Sequence, residues 1–238
     1  MKAVFFDLFE TLITEKTRSD AQARTPWHER LRTDAGRLER WWKENHVACM
    51  TGHYPDIETS FQALCLSVES PLSAMEVASV IREQCAWKTT VLREIEPCAE
   101  EMIHAVQALG LKVGVLSNAL PEEVSAWDSC PLRGLVDDAV FSCAVGVMKP
   151  QPTIYALACE RMGIPPADAC FIGDGGFDEL RGAKAVGMTS VKATWYQNQK
   201  VDWPFEEELR EVATMEAVIF PQKTGQSQAQ SLCECCSN

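Results

Sequence analysis

The opening run Ala3-Val4-Phe5-Phe6, which stops abruptly on Asp7, constrains the fold more than any other part of the chain. A short, unbroken apolar run closed by a carboxylate is the pattern of a parallel strand buried on both faces that hands its last residue to a loop. In open α/β sheets the ligand site lies outside such strand ends. Chemistry is therefore expected to begin at Asp7.

The next segment is not strand. From about Glu15 to Pro97 the chain turns to charged, tryptophan-containing stretches with helical spacing: Leu38, Trp41, Trp42 and His46, then Ile57, Phe61 and Leu64. Trp41 and Trp42 are expected to pack within this segment. A third helix is expected over 74–92, behind Ser73 as N-cap with Glu76 at the capping-box spacing.

Beyond Pro97, helix and strand alternate. The pattern predicts a helix over 99–109, a strand over 112–116 ending at Ser117-Asn118, and a strand over 139–141. A helix over 152–161, a strand over 169–172, a helix over 178–186 and a last strand over 190–193 follow. This rhythm predicts an α/β fold with a Rossmann-like parallel sheet. The core comprises residues 1–14 and 97–221, with an all-helical insert over 15–96 and a disordered polar tail over 222–238.

A formal net charge of -12 argues against nucleic acid and anionic membrane surfaces as partners. A small anionic substrate remains compatible, because a few local cations can outweigh the global field inside a cleft. The N-terminus lacks the apolar core of a signal peptide, and no run reaches the roughly 18 apolar residues of a membrane span. A cytoplasmic location is expected. The eleven cysteines then read mostly as buried reduced thiols. Cys233, Cys235 and Cys236 in the tail have no fourth ligand at zinc spacing.

Four positions just past apolar runs carry reactive side chains: Asp7, the pair Ser117-Asn118, Lys149 and Asp174. A carboxylate nucleophile, a hydroxyl, an ammonium and a second carboxylate converging on one pocket suit attack on an anionic electrophile. Two carboxylates with a backbone carbonyl also form a hard-oxygen site for Mg²⁺.

Four stretches, taken together and in order, resemble the haloacid dehalogenase-like (HAD) superfamily. They are Asp7-Leu8-Phe9-Glu10-Thr11-Leu12, Val115-Leu116-Ser117-Asn118, Lys149-Pro150 with Tyr155, and Gly173-Asp174-Gly175-Gly176-Phe177-Asp178-Glu179 leading to Gly182-Ala183. The resemblance implies that Asp7 is the nucleophile and that Thr11 orients its loop. It further implies that Ser117 and Asn118 contact the transferred group and that Lys149 neutralises charge on nucleophile and substrate. Asp174 would hold Mg²⁺ with Asp7 and the main-chain carbonyl of Phe9, while Glu179 or Asp178 orients Lys149 or a metal-bound water. The helical insert resembles the family's C1-type cap.

One position departs from the phosphatase members, which carry a second Asp two residues after the nucleophile to protonate the leaving oxygen. Here that residue is Phe9, and a phenyl ring transfers no proton. The 2-haloacid dehalogenases of the family also carry an aromatic residue there, since halide leaves without a proton. They would call for a cap arginine to grip the substrate carboxylate, with Arg30, Arg32, Arg37 and Arg40 available. Mg²⁺-dependent hydrolysis of a small phosphorylated metabolite is the favoured reading, because Asp174 needs a cation. Dehalogenation stands second, and a catalytically silent binding module third.

Overall fold

The computed structural model describes residues 1–15, 24–193, 196 and 210–212, so the tail cysteines Cys233, Cys235 and Cys236 lie outside the described residues. The first strand, β1 (Ala3–Phe6), is followed by four helices: α1 (Trp27–Arg30), α2 (Ala35–Met50), α3 (Ile57–Ser67) and α4 (Ala74–Arg93). Then come α5 (Pro97–Ala108), β2 (Lys112–Ser117), the short α6 (Pro121–Val124) and β3 (Asp138–Phe141). The chain continues through α7 (Ser142–Val145), α8 (Pro152–Met162), β4 (Ala169–Gly173), α9 (Glu179–Ala185), β5 (Thr189–Ala193) and β6 (Arg210–Val212).

All strands run parallel in the order β3-β2-β1-β4-β5-β6. Five of them match the runs expected from sequence; β6, past the expected last strand, extends the sheet by one edge. The strand order reverses at β1, so the crevice beyond its carboxyl end is where a ligand site belongs. Phe6 pairs with Val115 and Ile172, which brings Asp7 level with the ends of β2 and β4.

Alternate residues of the strands feed two separate apolar layers. Val4, Phe6, Val115 and Ile172 pack with Met102, Ile103 and Val106 of α5 on one face. Ala3, Phe5, Leu116 and Phe171 pack with Tyr155 and Met162 of α8 and Leu180 of α9 on the other. Burial on both faces is why these strands read as continuous apolar runs rather than alternating ones. Gly114 in β2 makes room for this packing, because a Cβ there would lie 2.6 Å from the Phe5 ring.

Three of the helices between β1 and α5 are capped by side chains at their N-termini, at Ser73 as the sequence predicts and at two further positions. Asp34 and Asp56 accept from the backbone N–H groups of Arg37 and Thr59 at 3.0 and 2.7 Å. Ser73 and Glu76 form the full capping box at the start of α4, satisfying two otherwise unpaired backbone N–H groups. The insert has its own apolar cluster, in which Ile57, Phe61 and Leu64 of α3 meet Leu31, Val68 and Ile81. No helix among the described residues is long and apolar enough to cross a membrane.

The end of α4 packs into the first apolar layer of the sheet through Val91 and Leu92, and a charged contact to Glu123 adds to it. Lys88 of α4 donates to Glu15 at 2.5 Å and to Glu123 at 2.8 Å, and the Trp87 indole donates to Glu15 at 3.3 Å. Burial opposes the Lys88 ammonium, but Glu123 and Glu15 together outweigh it and hold its pKa above the ordinary lysine value.

Candidate active site

Asp7 leaves β1 with its backbone N–H bonded to the Ile172 carbonyl at 2.8 Å, so the sheet itself fixes where its carboxylate starts. The chain then turns tightly, with Leu12 and Ile13 both donating to the Leu8 carbonyl and Thr11 fully buried beneath the turn. Glu10 adopts a left-handed backbone conformation (φ 59°) and its carboxylate accepts from the Thr14 hydroxyl at 3.0 Å and from the Glu15 N–H at 3.3 Å. That carboxylate is committed to its own loop.

Lys149 is 1% exposed and reaches back across the sheet, with its Nζ 2.7 Å from Asp7 Oδ1 and in contact with Glu179 Oε2. Two bonds hold its backbone: the Asn118 carboxamide donates to the Lys149 carbonyl at 3.0 Å and accepts from the Lys149 N–H at 2.8 Å. Asn118 thus clamps the loop that carries the lysine. Ser117, buried at the end of β2, points its hydroxyl toward the Asn118 carbonyl at 3.2 Å.

Glu179 opens α9 and is 2% exposed. Its Oε1 accepts from the Gly175 N–H at 3.1 Å, and its main-chain carbonyl accepts from the Tyr155 hydroxyl at 2.7 Å. Only glycine fits at position 173, because a Cβ there would stand 2.1 Å from Glu179 Oε1. Tyr155 itself is fully buried, edge-on to Phe171, so it acts from the core as an anchor for the start of α9. Asp178, the other acid considered for this place, faces solvent with Arg181 at 3.6 Å. Phe177 and Asp178 are both left-handed (φ 52° and 58°), and this backbone twist turns Asp178 outward and Glu179 inward.

Carboxylate oxygens of Asp7, Asp174 and Glu179 all lie within 4.8 Å of one another. Lys149 pairs with two of them, Asp7 and Glu179. Burial raises the Asp7 carboxyl, with Lys149 pulling the other way and Asp174 adding to the rise. Burial likewise pushes Glu179 up to about 8 against the pull of Lys149. Burial disfavours the Lys149 ammonium most, but Asp7 and Glu179 overcome it and leave the lysine above its ordinary range. The hard oxygen donors of Asp7 and Asp174 suit a divalent cation of the Mg²⁺ type.

Sequence reasoning missed two groups beside this cluster. The Lys88 ammonium lies 5.5 Å over the Phe9 ring, and His46 of α2 stacks on Phe177 with centroids 5.9 Å apart. Both residues come from the helices between β1 and α5; helical spacing placed His46 on a helix but gave neither it nor Lys88 a place at the site. Of the four arginines considered for gripping a carboxylate, Arg30, Arg32 and Arg37 are paired with Glu83, Glu76 and Glu69. Arg40 is exposed.

Comparison with known proteins gives the same outline. Residues 1–187 match the family model described as haloacid dehalogenase-like hydrolase. The glyceraldehyde 3-phosphate phosphatase of Methanopyrus kandleri is 26% identical over 81% of this chain and 83% of its own length. The (S)-2-haloacid dehalogenase of Xanthobacter autotrophicus is 31% identical over 81% of this chain and 74% of its own. A solved structure of the L-2-haloacid dehalogenase from that organism, with chloropropionic acid covalently bound, shares the fold with a TM-score of 0.61. It covers 92% of this chain and 96% of its own at 19% identity.

Proposed function

The chain belongs to the haloacid dehalogenase-like hydrolases, and from that premise we propose that it hydrolyses a small phosphorylated metabolite with Mg²⁺ held beside Asp7. One observation carries this reading: carboxylate oxygens of Asp7, Asp174 and Glu179 lie within 4.8 Å of one another, with Lys149 paired to Asp7 and Glu179. Carboxylates held this close disfavour one another's ionisation, and their hard oxygens are suited to a divalent ion. Asp7, Asp174 and the main-chain carbonyl of Phe9 would hold the ion. Bound there, Mg²⁺ supplies positive charge that keeps Asp7 ionised and withdraws electron density from the phosphoryl group.

The residues then divide the work. An Asp7 carboxylate oxygen attacks phosphorus, the bond from phosphorus to the ester oxygen breaks, and an acyl phosphate forms on Asp7. Water hydrolyses that acyl phosphate and regenerates the carboxylate. Lys149, 2.7 Å from Asp7, offsets charge on the phosphoryl oxygens, while Glu179 and Asn118 keep it in position. Ser117 and Asn118, at the end of β2, border the transferred group. Thr11 supports the Asp7 loop. The leaving oxygen departs without a proton from residue 9, so esters whose leaving groups are stable anions react fastest. The helical insert acts as the cap, a reading supported by the contacts of Lys88 and His46 with Phe9 and Phe177.

Phe9 itself favours a second reading, hydrolytic dehalogenation of a 2-haloacid, in which halide leaves Asp7-bound carbon without needing a proton. The engagement of Arg30, Arg32 and Arg37 by glutamates weighs against it. A parallel assay of an aryl phosphate and several 2-haloacids, with Mg²⁺ and with EDTA, separates the two. Turnover of the aryl phosphate that needs Mg²⁺ and vanishes in Asp7→Asn is the expected result. Halide release in EDTA would instead establish the dehalogenase, and ligand affinity without any turnover would leave a binding module.

A further inference from the structure

Among the described residues the buried acids are Asp7, Glu179 and Glu122, and the chemistry above uses the first two. Glu122 is 6% exposed, on α6, which begins three residues after Asn118. Its carboxylate accepts from its own backbone N–H, and among the described residues no other residue makes a hydrogen bond or ion pair to it. Glu122 lines a cavity of about 460 Å³ between the insert and α6. Three indoles, Trp27, Trp41 and Trp42, form much of the wall, with Leu38, Phe61 and Leu64.

The polar lining combines His28, Tyr54, Ser60 and Gln84 with charged groups that are mainly acidic. Glu39, Asp56, Glu122 and Glu123 face the cavity, and the one lysine there, Lys88, is already shared by Glu15 and Glu123. The cavity's surplus is negative, which disfavours a carboxylate or phosphate within it. A metal ion is not the complement either: among the described residues, the group of three acids close enough to hold one is Asp7, Asp174 and Glu179. Aromatic faces around a lone buried carboxylate are complementary to an organic cation, which gains from both the ring quadrupoles and the charge.

We propose that this cavity binds an organic ammonium carried on an apolar body, its nitrogen against Glu122 and its carbon frame among Trp27, Trp41 and Trp42. Resting on the phosphohydrolase reading, that molecule is the alcohol portion of the substrate, and the substrate class is the phosphate monoester of an apolar amino alcohol. The cavity adjoins the reacting groups through two walls: the turn that follows Asn118, and Lys88, whose ammonium covers Phe9. Burial pushes the Glu122 carboxyl up to about 7, a state that a bound ammonium reverses.

Phenethylamine and its neutral counterpart 2-phenylethanol test the assignment, titrated into the full chain at pH 8 and followed by calorimetry. The amine is expected to bind at least about 10-fold tighter than the alcohol in the wild type. That preference is expected to fall below about 3-fold in Glu122→Gln, which keeps the side chain's shape and removes its charge. Trp42→Ala, at a partly exposed wall, should weaken both probes. Equal affinities for the two probes, or a preference unchanged in Glu122→Gln, overturns the proposal. Amine inhibition of aryl phosphate turnover that is not competitive overturns the assignment of the amine to the substrate. Absence of aryl phosphate turnover with the amine preference intact sinks the phosphohydrolase reading alone, and the cavity's ammonium specificity stands.

Discussion

The Lys88 ammonium sits 5.5 Å above the centre of the Phe9 ring, at the position where phosphatases of the family carry a proton-transferring Asp. Lys88 is itself anchored between Glu15 and Glu123. A carboxylate introduced at position 9 would meet a fixed cation and be held ionised, whereas a general acid must carry a proton. Phe9→Asp alone is therefore expected to improve turnover of alkyl phosphates by no more than about 10-fold. The double variant with Lys88→Gln is expected to approach the 100-fold that acid catalysis typically supplies. The ratio of kcat/KM for an alkyl against an aryl phosphate reads the effect; full gain from Phe9→Asp alone would refute the account.

The Lys88 bridge should also matter for stability. Its side chain is 10% exposed, against 27% for Glu15 and 16% for Glu123, so Lys88→Met strands two half-desolvated carboxylates. A loss of about 2 kcal/mol is expected in urea denaturation, below the full value for a deeply buried pair because both acids keep some water. Arg37→Ala removes a bridge whose partners are 45% and 75% exposed and should leave stability nearly unchanged. Similar losses for the two variants would mean that burial is not what gives the Lys88 contacts their weight.

Gly173 and Glu179 form a matched pair. A methyl at 173 would displace the Glu179 carboxylate, which in turn releases Lys149 from one of its two acids. Gly173→Ala is expected to reduce kcat at least about 100-fold, a loss on the scale of misplaced catalytic groups. Glu179→Gln, which preserves the hydrogen-bonding shape, should reduce it less. Equal losses, or full activity in Gly173→Ala, would show that Lys149 is positioned without Glu179.

Much of this was legible in the chain itself. Strands buried on both faces leave apolar runs that end at polar residues, so Asp7, Ser117 and Asp174 could be located by where hydrophobicity stops. The capping box of Ser73 and Glu76 is a local pairing and could be read directly. What could not be read depends on approach between distant segments. Choosing Glu179 over Asp178 requires the left-handed backbone at Phe177 and Asp178, a conformation that side-chain identity does not announce at non-glycine residues. Asn118 was expected at the transferred group, and its carboxamide is found engaged on the Lys149 backbone, 31 residues on. Lys88 and Glu122 look like ordinary helix and turn charges until the insert folds over the sheet.

Glu122 supplies the last expectation, in the pH dependence of stability. Burial raises its carboxyl from an ordinary value of 4.5 to about 7, with Glu123 and Glu58 adding to the rise and Lys88 opposing it. A raised carboxyl holds its proton more tightly folded than unfolded. Its favourable share of stability is therefore complete below pH 4.5 and is lost as pH rises to about 7, after which the deficit stays constant. The shift corresponds to about 3 kcal/mol at most. Other groups titrate over the same range, so the comparison must be with Glu122→Gln, which shares all of them and lacks this one. Relative to that variant, the wild type should lose ground between pH 5 and pH 7 in urea denaturation and hold a fixed deficit from pH 7.5 to 8.5. A difference between the two proteins that does not change with pH would mean that Glu122 is ionised throughout, with water or a neighbour satisfying its charge.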